Sequence, residues 1–283
     1  MIRLEQVDFA YQEQNLLNKI NLEIDSGEFV AIVGGNGAGK STFLKLLNGL
    51  LKPTAGRVTI DGMDTRTTKT SELAKKIGFL FQNPDVQICK NTVREEILFS
   101  LHCVGTKAVA GHGEAKRRKG EQGAQGRCEM IMEQFGFAPE ADPFSMGRGR
   151  RQMLALASVL AVSPQILVLD EPTTGLDYRE CMTIMEQVAD LHKEGTTVIM
   201  VSHDMELVSD FAKRVLVFGE GSILADGDCR EIMCDRALLS RAKLQPPQIV
   251  ELAGRCGCVG VSSVLDMLYY LGANRQPEGG ISK

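Results

Sequence analysis

One segment limits this chain more than any other. Glu28 to Val33 is a short apolar run with the pattern of a buried strand, and it leads straight into Gly34-Gly35-Asn36-Gly37-Ala38-Gly39-Lys40-Ser41-Thr42. Phe43, Leu46, Leu47 and Leu50 then recur at i, i+3, i+4 and i+7, which predicts a helix with one apolar face. Strand, glycine-rich loop and helix therefore present G-x-x-x-x-G-K-S in the context that gives the motif meaning. The glycines let the backbone wrap a phosphate and aim its N–H groups inward. Lys40 supplies a point charge for β- and γ-phosphates, and the Ser41 hydroxyl is placed to coordinate Mg²⁺. A ligand-free glycine-rich turn would leave both flanks unexplained.

The rest of the chain alternates strand and helix patterns. Strands are expected at Arg3–Phe9, Asn21–Ile24, Arg57–Asp61, Ile77–Phe81, Ile166–Leu169, Thr197–Val201 and Val215–Phe218. Helices are expected at Tyr178–His192 and around Glu206–Ala212. That order implies a mainly parallel sheet with ligands at the carboxyl ends of its strands. Residues 92–161 read as helical and interrupt the alternation, which suggests a separate lobe. Within them lies a polar stretch, Gly105 to Gly126, with six glycines and the cluster Lys116-Arg117-Arg118-Lys119; it reads as a solvated loop or frayed helix. Beyond about Asp235 come the Pro246-Pro247 break, two weak helical stretches and a glycine-containing end, Gly272 to Lys283, expected to fray.

A metal held by Ser41 needs a second ligand from a neighbouring strand. Ile166-Leu167-Val168-Leu169 is apolar and ends in Asp170-Glu171. Asp170, at the strand end, can bind Mg²⁺ through water, and Glu171 can polarise an attacking water. The pair continues into Pro172-Thr173-Thr174-Gly175-Leu176-Asp177.

With that continuation, roughly residues 1–235 resemble the nucleotide-binding subunit of ATP-binding cassette (ABC) transporters. Gly34–Thr42 resembles the Walker A loop and Leu167–Glu171 the Walker B strand. Gln82 matches the Q-loop glutamine, which in the family touches Mg²⁺ and faces the transmembrane partner. Gly175-Leu176-Asp177 resembles the D-loop, and Ser202-His203-Asp204 the switch whose histidine senses the γ-phosphate. Tyr11 sits where the family stacks an aromatic ring on adenine. The resemblance thus implies an α/β P-loop NTPase fold: an ABC ATPase core at 1–235, an inserted α-helical subdomain at about 92–161 and a small C-terminal extension at 236–283. It implies ATP and Mg²⁺ as ligands. Nucleotide would be held by Tyr11, Gly34, Asn36, Gly37, Ala38, Gly39, Lys40, Ser41 and Thr42, metal by Ser41, Gln82 and Asp170, and catalysis would fall to Glu171, His203 and Gln82.

Phe81-Gln82-Asn83-Pro84-Asp85-Val86-Gln87, followed by Thr92-Val93-Arg94-Glu95-Glu96, is similar to the ATPases of energy-coupling factor transporters, which import vitamins, cobalt or nickel. Gln245-Pro246-Pro247-Gln248-Ile249-Val250-Glu251-Leu252 is similar to the C-terminal extension that helps two such ATPases pair. The implied partners are a second ABC ATPase and a transmembrane coupling protein with a substrate-binding membrane component. The implied location is the cytoplasmic face of the membrane. On this resemblance Asp85 faces the membrane partner and Asp177 the other ATPase.

The chain departs from the family at its signature, usually L-S-G-G-Q. Anchored on Gln152 and Ala155-Leu156-Ala157, the matching residues are Met146-Gly147-Arg148-Gly149-Arg150; a one-step slip aligns Phe144-Ser145-Met146-Gly147 instead. Either alignment loses a glycine. In the family the signature serves the nucleotide held by the other subunit. The departure therefore suggests a heterodimer with one weakened ATP site, or a homodimer that turns over slowly.

Composition narrows the alternatives. The 283 residues are 43% hydrophobic and 24% charged, which excludes a disordered chain, a collagen-like repeat and a small disulfide scaffold. The formal net charge of −4 provides no global basic field for nucleic acid. The eight cysteines contain no C-x-x-C pair, and Cys256-Gly257-Cys258 alone is close, so zinc is not expected. The N-terminal residues carry no leader pattern, and no apolar run approaches the ~20 residues that span a bilayer. A soluble ABC protein acting on nucleic acid or ribosomes would usually show two cassettes or a long coiled coil. A mainly regulatory ATP-binding subunit is favoured by Arg148 and opposed by Glu171 and His203.

Overall fold

Near-continuous apolar runs belong in strands covered on both faces, and alternating runs in strands with one face toward water. Both kinds occur in the computed structural model, which describes residues 1–12, 14–104, 114–258, 261 and 264–273. In chain order its elements are β1 (Ile2–Tyr11), β2 (Gln14–Ile24), β3 (Phe29–Gly34), α1 (Lys40–Leu47), β4 (Ala55–Ile60), β5 (Met63–Asp64), α2 (Thr70–Leu73) and β6 (Ile77–Leu80). There follow α3 (Val93–Val104), α4 (Glu114–Gln134), α5 (Arg148–Ala161), β7 (Ile166–Asp170), α6 (Tyr178–Lys193), β8 (Thr197–Val201), α7 (Met205–Phe211), β9 (Arg214–Gly219) and β10 (Ser222–Asp228). Four helices close the described chain: α8 (Cys229–Cys234), α9 (Arg236–Arg241), α10 (Gln248–Arg255) and α11 (Val264–Ala273).

The strands form two sheets. One has the order β2-β1-β4-β5 and is antiparallel. The other has the order β10-β9-β3-β8-β7-β6; its strands run parallel except for β10, which returns antiparallel along the edge. The period-2 alternation of strand side chains splits this sheet's residues between two cores. Val30 and Ile32, Ile166 and Val168, Ile199 and Val201, and Leu216 and Phe218 point to one side, where they meet α1 and the antiparallel sheet. Ala31 and Val33, Leu167 and Leu169, Val198 and Met200, and Val215 and Val217 point to the other, toward α5, α6 and α7.

The helical segment packs onto this second core: Ile97, Leu101, Cys128, Ile131 and Leu154 share one cluster with the sheet residues Leu80, Leu167 and Val198. Part of the Gly105–Gly126 stretch is helical, because α4 begins at Glu114. Ala124, Cys128, Ile131, Met132 and Phe135 are buried at helical spacing, and that packing outweighs the cost of about 1 kcal/mol for each glycine. Residues 105–113 and the side chains of Lys116 to Lys119 lie outside the described residues, as does the chain beyond 273. β10, absent from the sequence reading, extends the sheet edge, and α8 follows it directly. Arg214 fastens that edge through both oxygens of Asp226 at 2.7 Å and through Glu28 at 2.8 Å, and these carboxylates hold its guanidinium above its ordinary pKa.

From α10 onward Ala253, Cys258, Val261 and Met267 form a small separate cluster. Among the described residues no helix is long and apolar enough to cross a membrane.

Two outcomes follow from the packing. Phe43 of α1 is fully buried, with its ring edge-on to Phe218 at 5.2 Å. Phe43→Ala should lower the unfolding free energy by about 3–5 kcal/mol in urea titration, as large-to-small core substitutions do. Cys229 is 4% exposed, and burial, reinforced by Asp228, pushes its thiol up to about 12. At pH 8 it stays protonated and inert. Alkylation of the native protein followed by peptide mapping should modify the exposed Cys103 and Cys256 and spare Cys229.

Candidate functional site

The parallel register brings four loops to one edge. Ile32 of β3 and Asp170 of β7 both pair with Val201 of β8, and Leu80 of β6 pairs with Leu169. The loops after β3, β8, β7 and β6 therefore leave the carboxyl end of the sheet side by side. They carry the glycine-rich segment, Ser202-His203, Glu171 and Gln82.

The glycine-rich loop turns into α1 at Gly39. Its φ of 99° lies in the left-handed region, and a Cβ there would sit 2.6 Å from Leu17 Cδ2 and 3.0 Å from the Leu16 carbonyl. Only glycine meets both conditions. Gly39 caps α1 without a side chain, so the first N–H groups of the helix stay available to an anion. Lys40 is buried beneath the loop, and its Nζ donates to the carbonyls of Gly34 at 2.7 Å and Gly35 at 3.1 Å. Burial lowers its pKa, against the pull of Glu171 and Asp170. A cleft of about 230 Å³ opens here, lined by Leu16, residues 36–42, Glu171 and His203.

Asp170 is the last residue of β7 and is 7% exposed. Burial raises its pKa; the Ser41 hydroxyl, donating to Oδ1 at 3.3 Å, opposes that rise, and the Glu171 charge adds to it. Two hard oxygen donors thus face each other in a buried corner. That donor chemistry fits Mg²⁺. Glu171 follows with φ 50°, a left-handed geometry that costs a non-glycine residue about 1–3 kcal/mol. Its N–H donates to the Val201 carbonyl at 3.0 Å, which holds the turn. Both carboxylate oxygens are engaged. Oε1 lies 2.9 Å from His203 Nε2, and Oε2 accepts from Gln82 Nε2 at 2.6 Å and from the Thr174 hydroxyl at 3.0 Å.

The structure therefore brings together Asn36 to Thr42, Gln82, Asp170, Glu171 and His203. The Gln82 amide nitrogen is spent on Glu171. Tyr11 lies at the end of β1, half-exposed, edge-on to Phe9 at 5.0 Å. It is not among the residues lining the phosphate-loop cleft, whereas Leu16 is. Thr174 was missed by the sequence reading; its signal was its place three residues beyond Glu171. Asp177 caps α6 in a reciprocal box with Glu180. Asp85 pairs with Arg151 at 2.8 Å. In the signature region Gly147 caps α5 without a side-chain bond, and Ser145 Oγ donates to the Asp142 carbonyl at 2.8 Å. Arg148 turns back onto its own chain: its guanidinium lies over Gly175 and donates to the Gln82 carbonyl at 3.4 Å.

Comparison with known proteins identifies the family. The family model described as ABC transporter matches residues 17–174. The energy-coupling factor transporter ATP-binding protein EcfA2 of Clostridium perfringens is 37% identical over 259 residues, covering 89% of this chain and 88% of its own length. The solved structure of CbiO1 from the same organism, part of the ABC transporter complex CbiONQ, superposes with a TM-score of 0.71 at 29% identity, covering 89% of this chain and 98% of that one. A relative in Caldanaerobacter subterraneus subsp. tengcongensis is 40% identical over 91% of this chain, which spans only 43% of that relative's length. The chain belongs to the ABC transporter family, and among its ATP-binding proteins it resembles those of energy-coupling factor transporters.

Proposed function

We propose that this chain is the ATP-binding and ATP-hydrolysing subunit of an energy-coupling factor type transporter, driving import of a micronutrient, a vitamin or transition-metal ion, through a transmembrane partner. The observation that carries the reading is Glu171, fixed in a strained turn between Gln82, Thr174 and His203 and facing the cleft of the phosphate loop.

Each residue has a task in that reading. The N–H groups of residues 36–42 bind the phosphates, and Lys40 leaves the Gly34 and Gly35 carbonyls for the β- and γ-phosphate oxygens. Ser41 and Asp170, with Gln82 at the edge, would hold Mg²⁺, which supplies charge neutralisation to the transferring phosphoryl group. Glu171 accepts a proton from the attacking water and so acts as general base. His203 orients Glu171 and contacts the γ-phosphate. Tyr11, exposed at the end of β1, is the residue assigned to stack on the adenine.

Exposed surfaces support the proposed partners. Val86 and Phe99 are exposed apolar residues on the segment joining β6 to α3 and on α3 itself, which suits docking of a membrane protein's helices. Leu252, Leu268 and Tyr269 are exposed on α10 and α11, which suits pairing of the 236–283 extension with a second ATPase. Arg148 stands where the family carries a glycine and contacts its own Gln82 loop, which supports a heterodimer whose second site is weakened. The cytoplasmic membrane face is the corresponding location.

Glu171→Gln should lower the rate of phosphate release by a factor of about 10²–10⁴ while nucleotide binding persists, the usual loss on removing a general base. With ATP the same variant should stay monomeric by light scattering; a stable homodimer would count against the heterodimer. A tagged chain recovered from detergent-solubilised membranes should bring down a second ATPase and a multi-span membrane protein, identified by mass spectrometry. Recovery with no membrane protein would defeat the transport reading in favour of a soluble ATPase.

A further inference from the structure

The segment after α9 touches the nucleotide loop from behind. Helix α9 ends in a Schellman turn: the Lys243 N–H donates to the Ser240 carbonyl at 3.0 Å and the Leu244 N–H to the Leu239 carbonyl at 2.9 Å. Lys243 holds the left-handed position of that turn, with φ 59°. The turn leaves the Ala242 carbonyl without a partner in its own helix. That carbonyl accepts the N–H of Gly35, the second residue of the phosphate loop, at 3.1 Å. The approach is close, because a Cβ at Gly35 would lie 3.3 Å from the Ala242 oxygen and 3.5 Å from Lys243 Cβ.

The chain then runs on to a second contact. The N–H of Gln248, at the start of α10, donates to Glu206 Oε1 at 2.9 Å. Glu206 lies in the first turn of α7, whose cap, Asp204, follows His203 directly. A cavity of about 480 Å³ beside this contact is lined by Gln245, Pro246 and Gln248 and by Thr174, His203 and Glu206. One short segment, 242–248, is therefore hydrogen-bonded at one end to the loop that carries Lys40 and at the other to the helix that follows His203.

We propose that residues 242–248 form a strap that positions the phosphate loop, with Lys243 and Ala242 as its positioning residues and Glu206 as its second anchor. The strap sets the register of the loop against the switch, so the C-terminal extension tunes nucleotide binding without touching nucleotide. The inference rests on the ATP-binding reading for its binding consequence but not for its structural one.

Lys243→Pro tests it. Proline cannot adopt φ 59° and removes the N–H bonded to Ser240, so the Ala242 carbonyl turns away from Gly35. Lys243→Gly keeps the left-handed turn and serves as the conservative control. In the full-length chain, Lys243→Pro should speed amide exchange at Gly35 about tenfold or more, as expected when a hydrogen bond opens locally. It should weaken ATP binding about three- to tenfold by equilibrium titration, a loss of a few tenths to about one decade in affinity. Lys243→Gly should match the wild-type chain in both. Rapid Gly35 exchange in the unmodified chain overturns the strap even if Lys243→Pro fails to fold. Equal impairment of the two variants, or a released Gly35 amide with unchanged ATP affinity, overturns the positioning role. A wild-type chain that binds no ATP would defeat the ATP reading, while Gly35 exchange would still decide the structural contact.

Discussion

The alignment of the site depends on the pairing of β3, β8 and β7 through Val201. That residue pairs with Ile32 on one side and with Asp170 on the other, and its carbonyl accepts the Glu171 N–H. A slip of one residue in a strand would exchange its faces. Ile199 and Val201 would leave the core they share with α1, and Val198 and Met200 would leave the helical side. A slip would therefore have to repack two cores at once, and the same register sets the phosphate loop beside the acidic pair. The core is thus also the jig for the chemistry.

Electrostatics complete the site. Lys40, Asp170 and Glu171 meet in a partly buried corner where each charge costs desolvation. Lys40 offsets that cost with two backbone carbonyls, Asp170 with Ser41, and Glu171 with three side-chain partners. These partners belong to the protein alone, and the groups that would serve a phosphate and a divalent cation are held by one another. In this state Lys40 is turned down beneath its loop and Glu171 is fully hydrogen-bonded.

Much of this was legible in sequence. The loop from Gly34 to Thr42, the helix after it and the apolar strands ending at Val33, Leu169 and Val201 are local signals, since each is fixed by period, glycine placement and flanking residues. The 92–161 segment was readable as helical but not in its packing, because shared burial of Ile97, Cys128 and Leu167 is a non-local fact. The α4 helix was underestimated for a physical reason: glycine weakens a helix in isolation, and only the stripe of buried residues from Ala124 to Phe135 restores it. β10 was missed because its apolar run, Ile223 to Ala225, is short and is followed by Asp226-Gly227-Asp228; its partner strand decides it.

The sequence by itself determined the phosphate-loop motif, the acidic pair at a strand end and the α/β order, because each is written in patterns of neighbouring residues. The tertiary structure alone decided which side chains meet. Gln82 reaches Glu171 across 89 positions. Arg148 lies on the Gln82 carbonyl, and the Ala242 carbonyl lies on Gly35. No periodicity encodes these contacts. They exist because sheet order and strand register bring loop ends together, and because polar groups drawn out of water there must find partners within the chain.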